Sequence, residues 1–181
     1  MKLDSWHTPW IPFLRSVFPD TLLLFLYRDP YEVLASHRRQ RGPQMVPGLL
    51  DTSLLQIERV GLDAADIDGY AARVLGAIYR QALQSASRER LVLVNYRQLP
   101  QVLWTELLPR MGVYCTAAEE RAMEMRARFH SKNTAQVFHR DIESASGKPH
   151  AEVGGATRCY EQLEALRLTQ GLQPSPAGLV P

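Results

Sequence analysis

The most constraining stretch is residues 22–41, LLLFLYRDPYEVLASHRRQR. Six apolar residues in a row, Leu22 to Tyr27, are too few for an ordinary helix and do not alternate as an edge strand would. The expectation is a strand buried on both faces, as in parallel sheets. The run stops at Arg28-Asp29-Pro30. There Asp29 is expected to cap a helix, Pro30 suits its first position, and Glu32 is expected to reach back and close a capping box. In open α/β sheets ligands gather at the carboxyl ends of strands, and helix starts attract anions, so Arg28 marks an anion site by position. Ser36 shares a helix face with Glu32 and Arg39. A guanidinium at the strand end and this hydroxyl can hold one phosphate from two sides. The competing reading is a capped helix whose arginine pairs with a carboxylate.

The residues Arg28-Asp29-Pro30-Tyr31-Glu32-Val33-Leu34-Ala35-Ser36, of the form RDP-x-x-V-x-x-S, resemble the 3′-phosphate-binding motif of PAPS-dependent sulfotransferases. PAPS is the sulfate donor 3′-phosphoadenosine-5′-phosphosulfate. The resemblance implies that Arg28 and Ser36 hold the 3′-phosphate. The family carries a lysine and a histidine at a similar distance ahead of this arginine, which implies His7 as catalytic base and Lys2 as the group steering the sulfonate. These two stand five apart, unlike the Lys-Thr-His arrangement of cytosolic members. An imidazole can take a hydroxyl proton near neutrality; the plainer reading of His7 is an exposed histidine near a chain end. Where the family often has Tyr-Glu-Asp-Leu, this chain has Tyr96-Arg97-Gln98-Leu99. Tyr96 is thereby implied to touch the adenine, although Arg97 and Gln98 replace the acidic pair, and packing beneath the next helix is the structural alternative. Lys132, in the basic segment His130-Ser131-Lys132-Asn133, is the implied late contact to the same phosphate. No metal is implied.

With 181 residues, 20.5 kDa and 45% hydrophobic residues, the chain is expected to form one domain over residues 1–170, with a disordered tail over 171–181 rich in proline. A net charge of +2 is too small for a dedicated nucleic-acid binder. Cys115 and Cys159 are the only cysteines and stand far apart, fitting neither a disulfide framework nor a paired zinc site. A reducing, cytoplasmic setting is the expectation. No apolar run approaches the ~20 residues of a membrane span, and the amino terminus does not read as a signal peptide.

Along the chain, Pro12 is expected to start a short helix with Phe13, Leu14 and Val17 inward, and Pro19-Asp20 to form a turn. Residues 37–41, HRRQR, read as a solvated helix end and residues 42–48 as a loop. From Ala64, the spacing of Ile67, Tyr70, Ala71, Val74, Ile78 and Ala82, widened by Tyr79 and Leu83, predicts an amphipathic helix to about Arg88. Residues 91–95, LVLVN, predict a second parallel strand reached by a right-handed crossover. A short helix through Val102, Leu103, Leu107 and Leu108 is expected to end near Gly112. Thr116 and Glu119 should box the start of another, running to about Phe129. A last helix is expected over residues 159–169.

The family's 5′-phosphosulfate loop, of Lys-x-Gly-Thr-Thr type, has no counterpart in the sequence, nor is there a G-x-x-x-x-G-K-[ST], G-x-G-x-x-G, H-E-x-x-H or G-x-S-x-G motif. The expected fold is α/β, a three-layer αβα sandwich with a parallel sheet like that of P-loop NTPases and sulfotransferases, incomplete at its amino-terminal side. Loss of that unit should leave apolar sheet edges exposed. The missing segment, or another copy of the chain, would then be a partner. The implied activity is sulfonate transfer from PAPS to a hydroxyl or amine acceptor, impaired in this chain alone. The rival is a non-catalytic nucleotide-binding or interaction module; a third reading is a P-loop kinase relative, for which the chain lacks the loop.

Overall fold

The computed structural model describes residues 1–51, 53–57, 65–88, 90–129 and 151–170. The chain divides into two compact units: described residues 1–94 and 151–170 form the first, and residues 95–129 the second.

The first unit opens with a 3-10 helix, Ser5–Trp10, that continues into α1, Ile11–Val17. Pro12 lies in the first turn of α1, where its missing N–H costs nothing. The expected inward residues are corrected: Phe13 is 56% and Val17 50% exposed, and Ile11 is the residue that enters the core. Two helical turns anchored at their first residue leave Leu14 half-buried and Phe13 and Val17 outside. The turn into the sheet is held by Arg15, whose Nη1 donates to the carbonyls of Pro19 and Thr21 at 2.8 Å.

β1, Leu24–Tyr27, and β2, Val92–Asn95, form a two-stranded parallel sheet, so the chain is mixed α/β. The amide of Val92 donates to the carbonyl of Leu23 at 2.9 Å. Burial of β1 on both faces is not observed. Phe25 and Tyr27 are 9% and 2% exposed, whereas Leu24 and Leu26 are 42% and 53% exposed. The strand alternates after all; because both faces are apolar, its sequence hides the period. Its buried face meets Tyr79 and Tyr160, edge-on to the Phe25 and Tyr27 rings.

Between the strands lie α2, Pro30–Arg39, and the long α3, Ile67–Arg88. The α3 stripe is buried as its spacing predicts at Tyr70, Ala71, Val74, Ile78, Tyr79 and Ala82, while Ile67 remains 40% exposed at the helix start. Ala72, Leu75 and Ala77 are buried too, because α3 is covered from several sides. Its principal partner is α6, Val153–Thr169, which begins well before the expected residue 159. The Gly154-Gly155 pair does not break α6, and a Cβ on either would meet nothing closer than 3.7 Å; α3 and α6 approach closely at Gly76, where a Cβ would sit 3.4 Å from the backbone nitrogen of Ala156. Small residues at a crossing let two helix backbones come together, and Ala72 and Ala156 are fully buried there. The start of α6 is clamped by a bidentate ion pair, Arg73 Nε and Nη2 to Glu152 at 2.9 and 3.0 Å. Its far end is tied to β2 by Gln170, whose Oε1 accepts from the Leu93 amide at 3.2 Å while Nε2 donates to the Leu91 carbonyl at 2.9 Å.

In the second unit, Tyr96–Gln98 form a 3-10 turn, followed by a π-helical segment Leu103–Leu107, α4, Leu108–Arg110, and α5, Ala117–Ala127. Val102, Trp104 and Leu107 are buried, and Gly112 ends the α4 turn with φ near +72°, a conformation glycine adopts without a Cβ clash. Thr116 and Glu119 form the predicted capping box: the Thr116 amide donates to Glu119 Oε2 at 2.8 Å, and the Glu119 amide to Thr116 Oγ1 at 3.3 Å. Residues 52, 58–64, 89, 130–150 and 171–181, and with them Lys132 and the expected tail, lie outside the described residues.

Candidate anion-binding site

The carboxyl end of β1 is built by local chemistry. Asp29 caps α2 as predicted, its Oδ1 accepting from the amides of Tyr31 at 2.9 Å and Glu32 at 3.4 Å, and Pro30 occupies the first turn. The Glu32 side chain has another partner than the expected capping box: its Oε2 lies 2.5 Å from Arg28 Nε. The i,i+4 spacing that joins these two was visible in the sequence, and the pair wins because an ionised donor and acceptor bind more strongly than a carboxylate and a neutral amide. Both side chains are largely shielded from water, at 22% and 19% exposure. Ser36, one further i+4 step along α2, is half-buried.

The backbone beneath Arg28 is fixed from α3. The Tyr79 hydroxyl donates to the Arg28 carbonyl at 2.5 Å. Burial is the main cause that pushes this phenol's pKa up, so Tyr79 stays a neutral donor at any ordinary pH. The sequence offered Tyr79 only as part of an apolar stripe; the signal that could have singled it out is a tyrosine at a position whose neighbours are wholly apolar, since a buried phenol needs a polar partner. Beside it, Tyr27 donates its hydroxyl to Glu164, and Glu164 is paired with Arg167 Nη2 at 2.9 Å. Burial first, then Glu164, keeps the Tyr27 phenol protonated. This network joins β1 to α6.

The basic run after Ser36 is exposed at Arg38, Arg39 and Gln40, as expected of a solvated helix end, and two of its arginines also share one carboxylate. Arg38 Nε lies 2.9 Å from Asp68 Oδ2, and Arg41 pairs with the other oxygen of the same carboxylate, so the end of α2 is pinned to the start of α3. The hydrogen bond from Arg41 is the first cause that holds the Asp68 carboxyl below its usual range. His37 Nδ1 accepts from the Gly42 amide at 3.1 Å, and burial, followed by the nearby Arg41 charge, lowers its pKa.

His7 lies in the Ser5–Trp10 helix, which packs on α3, and its Nδ1 is 3.3 Å from the Asp4 carbonyl. A carbonyl only accepts, so this contact places a proton on Nδ1 and leaves Nε2 as the ring nitrogen turned away from Asp4. Lys2 is exposed ahead of that helix. Arg28, Ser36, His7 and Lys2 all belong to the first unit, whereas Tyr96 stands half-buried in the second. The residues that depart from the family pattern there have a local role. Asn95 and Gln98 form a capping box, with the Asn95 amide donating to Gln98 Oε1 and the Arg97 amide to Asn95 Oδ1, both at 2.9 Å.

Among the described residues no group of three or more His, Cys, Asp or Glu side chains is placed to hold a metal ion, and no helix is long and apolar enough to cross a membrane. Cys115 and Cys159 are free thiols. No protein-family model, curated protein or solved structure matches the chain.

Proposed function

We propose that the chain is a sulfotransferase-like protein that binds the 3′-phosphate of PAPS at Arg28 and Ser36 and serves transfer of its sulfonate to a hydroxyl or amine acceptor. The observation that carries this reading is the setting of the motif. Arg28 leaves the carboxyl end of a parallel strand, Asp29 and Pro30 start the next helix, and Ser36 follows two turns later on the face that Glu32 shares. In this reading the sheet belongs to a three-layer αβα sandwich. Tyr96 lies against the adenine, Lys132 adds to the phosphate grip, and His7 takes the acceptor's proton while Lys2 steers the sulfonate. Transfer is an in-line displacement at sulfur, in which positioning and fixed charge do most of the catalysis and no metal is required. The 5′-phosphosulfate loop comes from a segment or copy that adds to β1. Support for that is the exposed pair Leu24 and Leu26 on a strand whose outer edge has no partner strand among the described residues.

The second reading, a nucleotide-binding module without transferase chemistry, is favoured by the lack of any Lys-x-Gly-Thr-Thr loop in the sequence. Calorimetric titration with adenosine 3′,5′-bisphosphate tests what the two share. Arg28→Ala should weaken binding roughly 10- to 100-fold, the loss expected for a charge-assisted bidentate contact. Unchanged affinity in that variant would remove the basis for both readings. A sulfonate-transfer assay from PAPS then separates them, with turnover expected only for the enzyme.

A further inference from the structure

Glu32 lies four residues after Arg28, whose guanidinium it holds, and four before Ser36, with which it shares a face of α2. Resting on the reading of Arg28 and Ser36 as the phosphate grip, we propose that Glu32 is an internal competitor for that phosphate. Its carboxylate occupies Arg28 while the site is unliganded and must swing aside when the nucleotide binds. Three observations carry this. Glu32 Oε2 takes Arg28 Nε at 2.5 Å, so one edge of the donor fork that a phosphate would use is already engaged. Both side chains are mostly shielded, so the carboxylate cannot remain beside a seated phosphate without like-charge repulsion in a poorly screened place. And Asp29 alone serves the amides of Tyr31 and Glu32 as the helix cap, so Glu32 can leave Arg28 without uncapping α2.

The exchange has a consequence for ligand choice. Replacing one carboxylate by a phosphomonoester, which carries close to two negative charges near neutrality, increases the charge facing Arg28; replacing it by a singly charged phosphodiester does not. The cost of displacing Glu32 is common to both ligands, so net affinity goes to the one that pairs with Arg28 more strongly than the carboxylate does, a terminal 3′-phosphate rather than an esterified one.

Calorimetry with adenosine 3′,5′-bisphosphate on the full chain, comparing Glu32→Gln, Glu32→Ala and Arg28→Ala, tests the assignment. Both Glu32 variants should bind roughly three- to tenfold tighter than the unaltered protein, the range expected from removing a partly shielded competing ion pair, and Arg28→Ala should bind much more weakly. If Arg28→Ala loses binding while the Glu32 variants bind equally or less well, Glu32 positions the arginine and the competitor assignment is overturned, with the phosphate site intact. If neither the unaltered protein nor the Glu32 variants bind the bisphosphate, the phosphate site itself is wrong and the competitor assignment goes with it. Thermal unfolding of each variant identifies any loss of fold.

Discussion

Replacing Tyr79 by phenylalanine isolates a single hydroxyl at the base of the candidate site. The ring is 3% exposed and sits edge-on to Phe25 and Tyr27, with centroids 6.4 Å away and interplanar angles of 88° and 78°. Phenylalanine keeps those contacts and the packed volume. What it removes is the donor to the Arg28 carbonyl at 2.5 Å. That carbonyl precedes the helix cap, and the first backbone bond of α2 runs instead from the Val33 amide to the Asp29 carbonyl. An acceptor deprived of its partner in a place water reaches poorly costs about 1–3 kcal/mol. In a chain of this size, ~2 kcal/mol corresponds to a fall in Tm of roughly 4–8 °C. Urea unfolding should show the midpoint move without a change of slope, because the surface exposed on unfolding is the same. On the proposed reading, affinity for adenosine 3′,5′-bisphosphate should fall as well, since Arg28 leaves the strand from the very peptide that Tyr79 anchors. A Tyr79→Phe protein with unaltered midpoint and Tm would refute the claim that this hydroxyl fixes the strand end.

At the α3 to α6 crossing, Gly76→Ala should be neutral or slightly stabilising, because the added Cβ meets Ala156 at ordinary contact distance and alanine favours helix; Gly76→Leu should cost about 1–3 kcal/mol by forcing the helices apart, read as a lower urea midpoint. The lowered pKa of His37 gives stability a pH dependence with a definite sign. The unfolded chain takes up the proton first, so this contribution is complete above about pH 6.5 and is lost as pH falls from there through the folded value. His37→Gln should flatten the Tm profile over that interval; an equally steep profile in the variant would assign the slope to other groups.

Legibility in the sequence followed how local the causes were. The caps at Asp29 and Thr116 and the α3 stripe depend on neighbours within a turn or two, and they stand where the residues put them. Exposure of Leu24 and Leu26 could not be read, because an apolar run looks the same whether one face or two are covered. The early start of α6 was hidden by Gly154-Gly155, a breaker in isolation, although the close approach of α3 and α6 runs through Gly76 and Ala156. Yet Val153, Ala156, Tyr160 and Leu163 recur at three and four, a stripe that overrides the glycines once counted. At the site, the motif was legible as a string. Pairing of Arg28 with a carboxylate stood as the competing reading, and Glu32 at i+4 is that partner; the support from Tyr79 was not legible, since it depends on a contact fifty-one residues away.

The side-chain amide of Gln170 makes the two bonds to Leu91 and Leu93 that a neighbouring peptide group would make. That flank of β2 is therefore stoppered by one residue, while Val92, with its backbone turned the other way, is already bonded toward β1. Among the described residues the sheet is thus open on one side only: the edge without a partner strand runs beside Leu24 and Leu26, not beside Leu91 and Leu93. One glutamine does at that flank what a third strand would otherwise do.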